Sequence, residues 1–108
     1  MMDPLDVAGL REALQEGRIQ WRKHVLQRLA ERGIRQQQVI GVVLTGECIR
    51  QYPEDAPFPS GLFLGWVESR PLHVVAAYDL AGHRAFIVTA YEPSLDYFEP
   101  DFKTRKKP

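Results

Sequence analysis

The sequence contains a single cysteine, Cys48. One cysteine excludes an intrachain disulfide and a cysteine-based zinc site, and it fits a reducing cytoplasm. The formal net charge is zero, so overall charge indicates neither a nucleic acid nor an anionic membrane as partner. We find no uncharged apolar run with the length of a signal peptide or a membrane span, so we expect a cytoplasmic protein without a membrane partner.

Several motifs of cofactor and metal chemistry are also missing. The chain has no H-E-x-x-H, C-x-x-C, P-loop or G-x-G-x-x-G pattern. Its two prominent histidines, His24 and His73, fall in different predicted elements, so no local metal-ligand spacing connects them. The sequence therefore predicts neither a metal nor a cofactor.

Length and composition predict one ordinary folded domain over residues 1–108. The 108 residues are 44% hydrophobic and include eleven aromatic residues, which is enough for one modest core. Three helices are predicted first: one from an N-cap at Asp3 with Pro4 in its first turn, ending at Gly17, and two over residues 23–32 and 35–46. The basic residues at 101–108 are expected to fray.

After Gly46 the pattern changes to alternation and turn residues, which indicate strands. The stretches "ECIRQY", "LFLGWVES", "PLHVVAAYDL" and "RAFIVTAYEP" predict an antiparallel meander, and "RIQW" before the second helix predicts a short extended link. Helices followed by such a meander predict an α+β fold, with the helices packed on a sheet of about four antiparallel strands.

The second helix carries His24, Arg28 and Arg32 at intervals of four, which places them along one helical stripe. Histidine can transfer protons near neutral pH, and arginine binds phosphate oxygens with a planar fork. Metal-free RNA cleavage needs such groups: a base, an acid and cations for the charge on the phosphate. The alternative is a solvated helix surface, on which Glu31 and nearby acids pair with the arginines.

His73 stands in an otherwise apolar strand, where a buried polar ring requires a partner. If a three-residue "AGH" loop joins the last two strands, Leu80 pairs with Arg84 and His73 lies opposite Tyr91. In that register Ile87 and Thr89 share the face of His73. A two-residue "AG" turn would shift the pairing by one and send Tyr91 to the other face.

The stretch H-x-x-x-R-x-x-x-R-x-I is followed in order by "GECIRQY", "PLHVV" and "IVTAYEP". This arrangement resembles a small bacterial family called domain of unknown function 4258, over roughly residues 18 to 97. The resemblance implies a fold similar to that of the RelE and MqsR toxins, which are metal-independent ribonucleases, and a zinc-finger antitoxin of the MqsA type as partner. The residues at matching family positions are His24, Arg28, Arg32, His73, Thr89 and Tyr91.

These observations lead to two hypotheses. In the first, the protein is a toxin-like, metal-independent endoribonuclease. His24 and His73 would transfer protons, Arg28 and Arg32 would bind phosphate together with Thr89, and Tyr91 would position or polarise the RNA. In the second, the same polar face belongs to a noncatalytic protein- or RNA-binding module, since arginine and tyrosine are also enriched in interfaces. The ribonuclease hypothesis expects these side chains to converge in one open cleft.

Overall fold

The computed structural model describes residues 4–107 of the chain. Three helices and five strands follow one another in the order α, β, α, α, β, β, β, β. The helices are α1 (Val7–Gln15), α2 (Lys23–Arg32) and α3 (Gln36–Thr45), and the strands are β1 (Ile19–Trp21), β2 (Glu47–Tyr52), β3 (Ser60–Val67), β4 (Arg70–Asp79) and β5 (Arg84–Tyr91). The α+β class predicted from the sequence is confirmed.

The helix ends follow from local chemistry. Asp6, whose carboxylate accepts a hydrogen bond from the Gly9 amide at 2.9 Å, caps α1. The prediction of Pro4 in the first turn is therefore wrong, and the predicted cap Asp3 lies outside the described residues. Gly33 ends α2 in the left-handed conformation, with φ of 66°, as expected of a glycine at this position.

The five strands form one open sheet in the order β1-β5-β4-β3-β2. Four of them form the predicted antiparallel meander, but β1 adds a fifth strand that runs parallel to β5, with Ile19 beside Ala85 and Trp21 beside Ile87. The prediction of about four antiparallel strands is therefore corrected to five strands of mixed direction. The extended "RIQW" link is this edge strand.

The main core lies between the helices and one face of the sheet. Leu10 and Val39 of the helices and Val74 and Ile87 of the sheet are all completely buried in it. Because successive strand residues point to opposite faces, His73 faces the other side of the sheet. There the segment after β5 folds back, and its Phe98 ring packs against His73.

The β4–β5 pairing places His73 opposite Tyr91, as one of the two predicted registers requires. The predicted three-residue loop is nevertheless wrong, because Asp79 rather than Leu80 pairs with Arg84. A β-bulge that leaves Val88 without a partner shifts the register by one residue and so restores the His73–Tyr91 pair. The bulge also sends Ile87 into the core, away from the face of His73.

The sequence predicted a frayed basic tail at residues 101–108. The part of this tail that the structure describes, up to residue 107, folds back on residues 97–99. The Lys106 amide donates a hydrogen bond to the Tyr97 carbonyl at 2.9 Å, and the Glu99 amide donates one to the Thr104 carbonyl at 2.8 Å. We call residues 94–107 the C-terminal segment. Within residues 4–107, none of the helices combines the length and the hydrophobicity that a membrane-spanning helix requires.

Candidate functional site

The predicted stripe of α2 forms one wall of a groove. The strand β1 covers the edge of β5 only as far as Ile87, and the chain then enters α2, which lies beside the uncovered part of β5. The resulting cavity of about 340 Å³ is called the α2 groove here, and its lining residues are His24, Val25, Arg28, Arg32, Val88 and Thr89. The structure therefore brings four of the six predicted site residues together.

Arg32 joins α2 to the sheet. Its Nη1 group donates a hydrogen bond of 2.7 Å to the Ala90 carbonyl of β5. The same side chain lines a second cavity of about 350 Å³, which also has Tyr91 and Arg70 on its walls. Arg32 therefore has a structural contact and also stands between two cavities that could hold an anion.

Arg28 is paired more weakly. Its guanidinium lies 3.7 Å from the Glu31 carboxylate one turn along the helix, and both side chains are more than half exposed, at 62% and 53%. An exposed pair of this kind contributes little to stability. Arg28 therefore forms the pair with Glu31 that the alternative of a solvated helix surface predicted. Separating this pair costs little free energy, so another anion can replace Glu31.

His73 lies in a closed site, with no exposed surface. Its Nε2 lies 2.7 Å from the Phe102 carbonyl oxygen, which can only accept, so Nε2 carries the proton and donates it. The Tyr91 hydroxyl then donates to Nδ1 at 3.3 Å. Burial lowers the pKa of His73, and the hydrogen bond to the Phe102 carbonyl opposes this effect only in part.

The structure therefore does not bring His24 and His73 into one open cleft. His24 is exposed at the α2 groove, whereas His73 lies beneath Phe98 and Phe102 of the C-terminal segment. The physical reason is nonlocal, because the Phe98 ring and the Phe102 carbonyl that contact His73 belong to the C-terminal segment, which follows β5. A mechanism with two solvent-accessible histidines is not available in this conformation.

Tyr91 takes part in both the buried His73 site and the second cavity. Its hydroxyl contacts His73, and the same residue is part of the lining of the second cavity, as is Arg32. Burial is the main reason that the pKa of Tyr91 is raised; the neighbouring Tyr52 adds to the rise and Arg105 opposes it. The hydroxyl consequently stays protonated at neutral pH and can act as a hydrogen-bond donor.

Sequence reasoning missed several residues of this surface. Arg70 of β4 lines the second cavity, and a third cavity of about 680 Å³ has Tyr97 and the cations at positions 105–107 on its walls. The basic composition of the tail was the available signal. Its position could not be predicted, because it depends on contacts between the C-terminal segment and the far face of the sheet.

One cluster in the described residues has the composition of a metal site. Glu12, Glu16 and His83 present ligand atoms within 4.8 Å of one another. The His83 ring is already engaged: Nδ1 lies 2.6 Å from the Tyr78 hydroxyl, and Nε2 lies 3.4 Å from Glu16. Ordinary hydrogen bonds account for this arrangement, which connects α1 to the β4–β5 loop.

Comparison with known proteins gives one match. No curated protein and no solved structure matches the chain. A family model matches residues 21–92, two thirds of the chain, and this confirms the family resemblance predicted from the sequence. Because the match extends from β1 to the end of β5, across the α2 groove and the His73–Tyr91 pair, the chain belongs to the family described as domain of unknown function DUF4258.

Proposed function

We propose that this protein is a toxin-like, metal-independent endoribonuclease whose chemistry takes place in the α2 groove. The observation that carries the proposal is the convergence of His24, Arg28, Arg32 and Thr89 on one open groove. An exposed imidazole is available for proton transfer there, and two guanidinium groups are available for a phosphate. The hydroxyl of Thr89 adds a hydrogen-bonding group on the opposite wall.

The proposed reaction breaks a phosphodiester by attack of the neighbouring 2′-hydroxyl. A base takes the 2′ proton, the 2′ oxygen bonds to phosphorus, and the bond to the 5′ oxygen breaks as that oxygen receives a proton. The products are a 2′,3′-cyclic phosphate and a free 5′-hydroxyl. His24 would perform one proton transfer, while Arg28 and Arg32 would stabilise charge on the phosphate oxygens.

Tyr91 and His73 have supporting roles in this proposal. Tyr91 lines the second cavity together with Arg32, and there it would polarise or position the RNA. His73 accepts the hydrogen bond of the Tyr91 hydroxyl and is enclosed, so we assign it as a positioning residue that acts through Tyr91. This assignment replaces the hypothesis of direct proton transfer by His73.

The remaining parts of the proposal rest on resemblance. They are a fold of the RelE and MqsR type, RNA as substrate and an MqsA-type zinc-finger antitoxin as partner, whereas the proposed cytoplasmic location rests on the single cysteine and the absence of a long apolar run. The order of helices and meander agrees with such a fold, although the parallel edge strand β1 has to be accommodated.

The test is incubation of purified protein with total RNA in the presence of EDTA. We expect cleavage that leaves cyclic phosphate ends, and a loss of about 10²-fold or more in His24→Ala, since that is the usual size of one general acid or base contribution. Lys23→Ala is the matched control, because Lys23 is exposed on the same helix but does not line the α2 groove. Cleavage that EDTA abolishes, or that His24→Ala retains, would overturn the proposal.

A noncatalytic binding module is the second candidate. It is favoured by the ordinary structural contacts of the same residues: Arg28 with Glu31, Arg32 with Ala90, and His73 with Phe102. RNA binding at the α2 groove without cleavage by the wild-type protein would select this candidate.

A further inference from the structure

We infer that the site takes single-stranded RNA, along a continuous track from the α2 groove across Tyr91 to the C-terminal segment. The inference rests on the proposed function, since it names the form of RNA bound at the same site. It goes further by assigning a binding role to residues 94–107, which lie beyond the part of the chain that the family model matches.

The track is continuous because its three cavities share walls. Arg32 lines both the α2 groove and the second cavity. Tyr91 and Glu92 line both the second cavity and the third cavity. The three cavities are therefore adjacent, and an extended polymer that contacts Arg32 and Tyr91 can reach all three.

Positive charge follows the track although the whole chain has zero formal net charge. Arg28 and Arg32 lie in the α2 groove, Arg70 lies in the second cavity, and the three cations at positions 105–107 lie in the third cavity. Such a row of cations suits a phosphate backbone.

Two acidic side chains, Glu92 and Asp96, also line the track. Glu92 forms an exposed pair with Arg70 at 3.9 Å, which a phosphate can replace at little cost.

An exposed aromatic ring distinguishes a single strand from other anionic polymers. Tyr97 lines the third cavity beside the cations, and 72% of its surface is exposed. Bases of a single strand can stack on such a ring, whereas the bases of a duplex are already stacked on one another. An acidic peptide could use the cations but has no base to place on Tyr97.

The C-terminal segment holds these groups in fixed positions. Two backbone hydrogen bonds stabilise its fold: the Lys106 amide donates to the Tyr97 carbonyl at 2.9 Å, and the Glu99 amide donates to the Thr104 carbonyl at 2.8 Å. Phe98 also forms an antiparallel β-bridge with Arg105. The Phe102 carbonyl anchors the same segment to His73. The cations at positions 105–107 consequently stand at the end of the track.

The experiment measures equilibrium binding by fluorescence anisotropy, with all variants made in a His24→Ala background so that the RNA stays intact. The probes are a labelled unstructured 12-nucleotide RNA and a blunt RNA duplex of the same sequence. We expect Tyr97→Ala to weaken single-strand binding about tenfold, Tyr97→Phe to restore it, and neither to change duplex binding.

A second set of variants tests the cations. Lys106→Ala and Lys107→Ala should each reduce the slope of log affinity against log salt by about 0.7, the value for one phosphate contact on a single strand. Arg50→Ala is the matched control, since Arg50 is exposed on β2 and lines none of the three cavities.

The outcomes separate the track from the cleavage proposal. Unchanged single-strand binding in Tyr97→Ala and in the lysine variants would overturn the track, even if the protein cleaves RNA. Equal affinity for the duplex, or competition by a poly-glutamate peptide with the same dependence on Tyr97, would overturn it too. Single-strand binding that depends on Tyr97, in a protein whose wild-type form does not cleave, would support the track and end the cleavage proposal.

Discussion

His24 and His73 are identical side chains in opposite surroundings. His24 is exposed on α2 beside two arginines, whereas His73 has no exposed surface and both ring nitrogens are engaged. Burial penalises the charged imidazole of His73, so at this residue the fold favours the neutral ring that accepts from Tyr91. At the residue scale, exposure rather than residue type separates a group that can meet a substrate from one that positions another side chain.

The lowered pKa of His73 predicts a loss of stability in mild acid. The unfolded chain takes up a proton at the ordinary histidine value of 6.5, while the folded protein resists protonation until a lower pH. The unfolded state therefore binds more protons as the pH falls from 7.5 to 5.5, and the free energy of unfolding decreases over that interval.

Urea unfolding of the wild-type protein and His73→Gln at both pH values measures this effect. The glutamine amide can still donate to the Phe102 carbonyl but does not titrate. We expect His73→Gln to be less stable than the wild type at pH 7.5, yet to lose less stability on acidification. The same pH dependence in both proteins would show that His73 is not its source.

At the scale of the helices, the effect of a glycine on stability depends on its position in the helix. Gly33 closes α2 with φ of 66°, while Gly41 lies within α3 and has no neighbouring atom within 4 Å of a Cβ built on it. The two glycines thus predict opposite effects of the same substitution. Gly33→Ala should lower the free energy of unfolding by about 1 kcal/mol, because only glycine adopts the left-handed conformation without cost.

Gly41→Ala should raise the free energy of unfolding by about 0.5 to 1 kcal/mol, since alanine stabilises a helix interior relative to glycine. Chemical unfolding of the two variants beside the wild type measures both changes. A decrease of similar size in both variants would mean that backbone conformation does not determine the difference.

Elements with their own periodicity were predictable from the sequence, and elements defined by distant partners were not. Helix α2 and the antiparallel strands carry complete hydrophobic patterns, and the spacing of His24, Arg28 and Arg32 correctly predicted a shared helical face. The strand β1 has three residues, and its partner β5 arrives more than sixty residues later, so alternation alone could not identify a parallel pairing. The bulge at Val88 likewise has no local signal.

At the scale of the whole molecule, the sheet is covered on both faces by parts of the chain that differ in character. The helices cover one face with an apolar core, and the C-terminal segment covers the other through a few side chains, notably Phe98 and Phe102. The basic composition of residues 101–108 led to the prediction of fraying, because composition does not reveal that the Phe98 ring and the Phe102 carbonyl contact His73. Closure of the His73 site is therefore a property of the complete fold, which the sequence pattern around His73 does not specify.

If the C-terminal segment closes the His73 site, loosening it should change both stability and titration. Phe98 is only 7% exposed and its ring centroid lies 4.8 Å from that of His73. Phe98→Ala should lower the free energy of unfolding by about 3 kcal/mol, as expected for a buried phenylalanine. Water then reaches the imidazole, the penalty on its charged form decreases, and the pKa of His73 rises towards its ordinary value.

Leu95→Ala is the matched control, since Leu95 belongs to the same segment but is 50% exposed. We expect it to change the free energy of unfolding by less than about 0.5 kcal/mol and to leave the His73 titration as in the wild type. Urea unfolding measures the first quantity, and NMR titration of the His73 ring protons measures the second. If the pKa of His73 stayed at its wild-type value in Phe98→Ala, the enclosure of the imidazole would have to come from the sheet itself.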